Sequence, residues 1–158
     1  MNNHAILFSV RPRFAERIFN GTKTVELRRV RPTVSSGDLA LVYVTSPTKE
    51  LQGAFEVSGV LSEAPSTLWK KVSKGAGVTR KEFFAYFEGK KLAHAIMIRC
   101  AWKLSMPIQL SNLQRQKGGF RPPQSFHYIR RVTCPAFIAI TNAANENSRL
   151  TTSKRLVA

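Results

Sequence analysis

The chain has 158 residues, and its 25 lysines and arginines stand against 9 aspartates and glutamates, a formal net charge of +16. That length suits one domain, and 43% apolar residues supply a core, which argues against general disorder. So large an excess charge opposes compaction and is best neutralised by a polyanion, nucleic acid before an anionic membrane surface; the plain alternative is a soluble basic protein with no such partner.

Residues 5–10, Ala-Ile-Leu-Phe-Ser-Val, read as a buried strand. Pro12 suits a first helical turn, Phe14, Ile18 and Phe19 share a face, and Gly21 is a helix stop, which predicts a short amphipathic helix over 12–20. A strand over 24–30 follows, placing Val25 and Leu27 on one face and Thr24, Glu26 and Arg28 on the other. After a turn through Pro32 and residues 35–38, a third strand over 39–45 puts Leu39, Leu41 and Tyr43 on one face and Ala40, Val42 and Val44 on the other. A fourth spans 51–61, with Gly53 and Gly59 marking a bulge or a close approach.

Two short helices are expected over 65–74 and 79–87, joined by the turn Gly75-Ala76-Gly77. Ser66 and Thr79 are candidate N-caps, and Thr79 to Glu82 has capping-box spacing. Trp69, Phe83, Phe84, Tyr86 and Phe87 read as the apolar faces of these helices. A fifth strand over 92–104 and a sixth near 126–129 follow. Short strands with few helices suggest a small barrel with helical insertions. Residues 133–141 are expected as a terminal strand and 142–158 as a mobile tail, giving a domain over 1–132 and a partly flexible C-terminal extension over 133–158.

No run approaches the roughly 18–20 apolar residues of a membrane span, so no membrane association is expected. The start, Met-Asn-Asn-His, lacks the basic opening of a secretory signal, and a cytoplasmic protein is expected. Cys100 and Cys134 make neither a disulfide framework nor a zinc pattern, and Cys100 reads as a core residue. His4, His94 and His127 are not spaced as metal ligands, so neither metal nor cofactor is expected.

The densest polar feature is Gly21-Thr22-Lys23-Thr24-Val25-Glu26-Leu27-Arg28-Arg29. A glycine turn delivers Lys23 to a strand from which Glu26 and Arg28 project together. There Lys23 and Arg28 would meet an anion, while Glu26 would accept hydrogen bonds from a base or orient the cations; the plain alternative is a Glu–Arg pair fixing register. A second feature is the proline-stiffened loop from Gly118 to Tyr128, where Arg121 offers a fork for phosphate, Gln124 and Ser125 offer donors and acceptors, and Phe126 offers a ring to a base or to the core. A third is Tyr43-Val44-Thr45-Ser46-Pro47, where a buried strand ends in polar groups. His127 is a candidate for proton transfer, though a lone loop histidine is more often a bystander.

The spacing G-x-K-x-x-E-x-R at Gly21, Lys23, Glu26 and Arg28 resembles the ASCH family of the PUA-like superfamily. Tyr43 to Pro47 and the segment Phe120-Arg121-Pro122-Pro123-Gln124-Ser125-Phe126 resemble a branch of small stand-alone members, some described as predicted transcriptional regulators. The resemblance covers about residues 5–129. It implies an α+β fold, a small mixed and mostly antiparallel PUA-like β-barrel with short helices packed around it, and a cleft between the first helix and the barrel. In the wider superfamily that cleft binds RNA or reads modified bases, and some ASCH members are described as ribonucleases. Another member is an amidohydrolase on acetylated cytidine built around a Lys, a Thr and a Glu; Lys23 matches that lysine, but its threonine would fall at Glu26 and Thr24 lies two positions early, which counts against that activity here.

Three readings follow. In the first, the protein is a nucleic-acid-binding module, RNA favoured over DNA, with Lys23, Arg28 and Arg121 toward phosphate, Glu26 and Gln124 toward base edges, Tyr43 and Phe126 stacking or shaping the wall, and Arg11, Arg29, Thr45, Ser46 and Ser125 as further binding residues. In the second, it is a metal-independent ribonuclease or nucleoside hydrolase using Lys23, Glu26, Tyr43 and Ser125. The third, a regulator bound to DNA or a protein partner, ranks lower because no helix-turn-helix is evident. The sequence leaves the oligomeric state open. Residues 10–31 hold seven cations against two acids and residues 99–158 ten against one, so the charge forms one basic face if the fold brings those segments together.

Overall fold

The computed structural model describes residues 4–130. Their order is β1 (His4–Val10), α1 (Pro12–Phe19), β2 (Val25–Arg28), β3 (Leu39–Val44), β4 (Glu50–Glu63), α2 (Pro65–Val72), α3 (Arg80–Tyr86), β5 (Ala93–Gln109), α4 (Leu110–Gln116) and β6 (Phe126–Arg130). The strands form one sheet in the order β2-β5-β4-β3-β1-β6, with β1 parallel to β3 and every other pairing antiparallel. This is the mixed, mostly antiparallel α+β architecture expected, as a curled half-barrel. β2 and β6 end the sheet and share no ladder.

Alternation along β3 decides how the two faces are used. Ala40, Val42 and Val44 join Ile6, Phe8, Val10, Phe55 and Val57 in an inner core that α1 closes with Ala15 and Ile18. Leu39, Leu41 and Tyr43 point the other way, into a second core capped by Leu113 of α4 and flanked by Phe120. β2 is buried along its whole length because both its faces are covered. Val25 and Leu27 pack under α2 and α3 with Leu68, Val72, Phe83 and Phe87, while Glu26 pairs across from inward-facing Ile96.

Glycines act at two expected places. Register shifts occur beside Gly53 and Gly59, and a Cβ on Gly53 would collide with the Trp102 carbonyl, so β4 and β5 could not lie together there otherwise. Thr79 caps α3 with a reciprocal capping box to Glu82, whereas α2 starts with Pro65 after Ala64, and Ser66 is not its cap.

Other expectations need correction. Cys100 is exposed, because β5 carries an extra residue between the pairs Glu56–Arg99 and Ala54–Trp102, and Cys100 takes φ 51° in that bulge. β5 runs on to Gln109, past the expected end, by irregular pairing that leaves Met106 exposed. The α4 helix was not expected: it has one buried residue, Leu113, and no side-chain cap. The strand expected over 133–141, the tail and Cys134 lie outside the described residues. Among the described residues, no helix is long and apolar enough to cross a membrane, and no three His, Cys, Asp or Glu side chains cluster as metal ligands would.

Candidate nucleic-acid site

The open seam of the half-barrel is bridged by a buried side chain. Arg28, at the end of β2, donates from Nη2 to the Ser9 carbonyl of β1 at 3.0 Å, and from Nη1 to the carbonyl and hydroxyl of Ser125 at 3.1 and 3.2 Å. The Ser9 amide also donates to the Ser125 carbonyl at 3.0 Å, and the Ser9 hydroxyl to the Pro123 carbonyl at 2.6 Å. The proline-stiffened loop is thereby fastened over β1. A planar guanidinium meets several acceptors at once, which an ammonium could not do with the same geometry. Its plane also lies over the Phe8 ring, 4.7 Å from the centroid.

Glu26 lies between two cations. Arg28 Nη2 reaches its Oε1 at 2.7 Å, and Lys23 Nζ stands 3.7 Å from its Oε2. All three are buried, at 3% exposure for Lys23, 6% for Glu26 and 5% for Arg28. Lys23 is roofed by the turn Gly75-Ala76-Gly77: its Nζ donates to the Ala76 carbonyl at 2.6 Å, and the Gly75 carbonyl accepts from the Thr24 and Val25 amides at 2.8 and 3.3 Å. Gly77 takes φ +66°, and a Cβ there would stand 3.0 Å from the Lys23 stem. Burial holds the Lys23 amine below its ordinary value; Glu26 opposes that shift, and Arg28 and Arg17 add to it. The group therefore has two cations for one anion, with Glu26 Oε2 and Arg28 Nε left without a hydrogen-bond partner.

This network floors a cavity of about 500 Å³, within the usual range for small-molecule sites. Ser9, Val10 and Thr45 line it from the strand ends, Arg11, Arg13 and Phe14 from α1 and its entry, Val78, Glu82, Phe83, Ala85 and Tyr86 from α3 and its approach, and Gln124 from the loop. Arg13 and Glu82 form an ion pair at 2.9 Å that ties α1 to α3. The Thr79 amide and hydroxyl, then Arg13, hold the Glu82 carboxyl below its ordinary value. Tyr86 donates to the Leu27 carbonyl at 3.4 Å, and burial raises its phenol.

The cavity thus brings together Arg11, Lys23, Glu26, Arg28, Thr45 and Gln124. Ser125 stands behind it as the acceptor for Arg28. Other expected members lie elsewhere. Tyr43 is buried in the opposite core, its phenol raised by that burial, because it shares a β3 face with Leu39 and Leu41. Phe126 packs edge-on against Phe8 at 5.8 Å and belongs to the inner core. Arg29 is exposed and donates to the Glu88 carbonyl at 3.3 Å. Ser46 and Arg121 are exposed and do not line the cavity. His127 packs against Phe120, 6.2 Å between ring centroids, away from the site. The cations at the cavity come from the N-terminal segment, and residues 99–130 contribute Gln124 rather than a charge. The sequence reading missed Arg13, Phe14, Glu82 and Tyr86; only the capping-box glutamate carried a signal.

A curled mixed sheet with a basic cleft under its first helix defines a class of small PUA-like domains. The family of ASCH domains matches residues 8–110, and the chain belongs to it. It is 36% identical over 126 residues to a large ribosomal subunit protein uL22 from Ureaplasma parvum, covering 79% of this chain but 39% of that protein's length. It is 29% identical over 136 residues to an ASCH domain-containing ribonuclease from Zymomonas mobilis, covering 86% of this chain and 91% of that one. A crystal structure of ASCH from Zymomonas mobilis superposes with a TM-score of 0.79 at 30% identity, covering 84% of this chain and 92% of the other.

Proposed function

We propose that this ASCH protein binds RNA and seats one nucleotide in the cavity above Lys23, Glu26 and Arg28. The observation that carries the reading is the buried network with an excess cation beneath a nucleotide-sized cavity lined further by Arg11 and Arg13. Arg11 and Arg13 stand near the phosphates, Glu26 and Gln124 meet base edges, and Phe14 and Tyr86 offer rings. Support comes from the charge of +16 and from likeness to proteins named as a ribonuclease and as a ribosomal protein. A preference for RNA over DNA and a cytoplasmic setting are part of this reading. Anisotropy of a labelled single-stranded RNA across a salt series tests it. Contact with three or four phosphates gives a log–log slope of about −2 to −3, at roughly −0.7 per phosphate. Binding that ignores salt between low and physiological concentration would rule it out.

The likeness to a named ribonuclease favours a second reading, RNA cleavage in the same cavity, which we propose to be metal-independent. Attack by the ribose 2′-hydroxyl needs proton transfer and cationic stabilisation of the phosphorane. Lys23, with its lowered proton affinity, and Glu26 supply these groups, and Ser125 holds Arg28 in place. Labelled RNA incubated in chelator decides the matter: cleavage that disappears in a folded Lys23→Ala variant supports an enzyme, and intact RNA after long incubation supports a binder.

A further inference from the structure

We infer that Glu82 is a built-in competitor for RNA at the rim of the cavity, holding Arg13 until a phosphate takes its place; the inference rests on the RNA-binding reading above. Six charged side chains line the cavity, and two of them are acids, Glu26 and Glu82. Glu26 is buried between Lys23 and Arg28. Glu82 faces solvent, its side chain 36% exposed against 51% for that of Arg13. One carboxylate oxygen, Oε1, stands 2.9 Å from Arg13 Nη1. The other, Oε2, accepts from the Thr79 amide at 2.8 Å and from the Thr79 hydroxyl at 3.1 Å.

A carboxylate at the mouth of a site for a polyanion repels the ligand and neutralises the cation it pairs with. The two partners of this pair are not held alike. The capping box fixes Glu82 to the start of α3, whereas Arg13 reaches it from α1 with half of its side chain in water. An exposed ion pair is worth little, and a phosphate offers the guanidinium the same pair of oxygens that a carboxylate does. One anion can therefore replace the other on Arg13 at small cost. The guanidinium lies over the Phe14 ring, 4.4 Å from its centroid, which keeps it at the rim during the exchange. The exchange does not undock α1, because Arg17 still donates to the Gly77 carbonyl ahead of α3, and Ala15 and Ile18 stay in the inner core. Arg13 is thus a neutralised cation in the free protein and a phosphate contact in the complex.

The test uses the full-length protein, a labelled single-stranded RNA octamer and anisotropy at low salt. Glu82→Gln removes the charge and keeps a side chain that a capping box accepts. It is expected to bind RNA about two- to fivefold more tightly than the unaltered protein, the effect of no longer breaking an exposed ion pair, with the gain shrinking as salt screens it. Glu82→Asp keeps the charge but draws the carboxylate back from Arg13 by one methylene, and it too is expected to bind more tightly than the unaltered protein. Unchanged or weaker binding by Glu82→Gln, with the unaltered protein still binding, would overturn the competition and leave RNA binding standing. A gain in Glu82→Gln that Glu82→Asp does not share would point to long-range repulsion and overturn it as well. No binding by any of the three proteins would overturn the RNA-binding reading itself. In the unaltered protein, the Arg13 Nε–H and Thr79 amide resonances are expected to move together as RNA is added. A stationary Arg13 resonance at saturation would overturn the inference even where the variants do not fold.

Discussion

Glu26→Gln removes one charge at the same side-chain size. The carboxylate stands 2.7 Å from Arg28 Nη2 and 3.7 Å from Lys23 Nζ. With an effective dielectric constant of about 20, contacts of that length carry roughly 4–6 kcal/mol of gross attraction each, much of it offset by desolvation of the three ions. The variant keeps the desolvation of both cations and loses the attraction, so its cost is that of breaking a buried pair, about 3–5 kcal/mol. For a domain of this size that corresponds to a melting temperature lower by on the order of 10–15 °C. Lys23→Met is milder, roughly 1–2 kcal/mol, because Glu26 keeps Arg28, and loss of the bond to the Ala76 carbonyl and of the pairing with Glu26 is offset by relief of the ammonium's burial. Removing both Glu26 and Lys23 leaves one uncompensated cation where Glu26→Gln alone leaves two, so the double variant is expected to be more stable than the two single costs add up to, by about 1–3 kcal/mol. Urea denaturation of the four proteins measures the cycle. A Glu26→Gln cost below about 0.5 kcal/mol, or strict additivity, would refute a buried, coupled network.

A methyl group at Gly75 would land on the Thr24 hydroxyl; Gly75→Ala is expected to cost about 1–3 kcal/mol in denaturation experiments, partly recovered by Thr24→Ala. Thr79→Ala breaks the capping box of α3 and is expected to lower stability by about 1 kcal/mol, with no change if the cap is idle. Burial, then Arg31 and Lys90, hold His94 below its ordinary value near 6.5, and burial, then Lys117, do the same for His127. Both rings stay neutral in the fold where the unfolded chain takes up protons. Their contribution is therefore complete above pH 6.5 and is lost as the pH falls from there through the lowered folded values. Denaturation midpoints at pH 7.5 and about 5.5 test this sign, and a flat or opposite trend would contradict it.

Much of the site was legible because strand periodicity is strict. Glu26 and Arg28 had to share a face of β2, and the glycine turn before Lys23 fixed where that face begins. For β3 the same rule separated Tyr43 from Val42, but both faces are apolar, so alternation could not say which one meets the cleft. Tyr43 went to the opposite core for that reason. Tyr86 and Phe83 lie on one short helix, yet whether such a ring ends in a core or at a cavity depends on how α3 docks, which local sequence does not encode. Arg28 as the bridge across the seam was hidden too: two of its acceptors are the backbone carbonyls of Ser9 and Ser125, which leave no trace in residue identity. Cys100 was misjudged because it follows an apolar run, whereas a bulge at that point turns it outward.

The most direct test of nucleotide binding in the cavity is titration of the isotope-labelled protein with a single-stranded RNA octamer, followed by amide chemical shifts. The largest changes are expected at Val10, residues 23–28, Thr45, Ala85, Tyr86 and Gln124. Shifts confined to exposed cations such as Lys70, Lys71 and Lys103, with the cavity amides unmoved, would contradict the account and reduce RNA binding to surface charge.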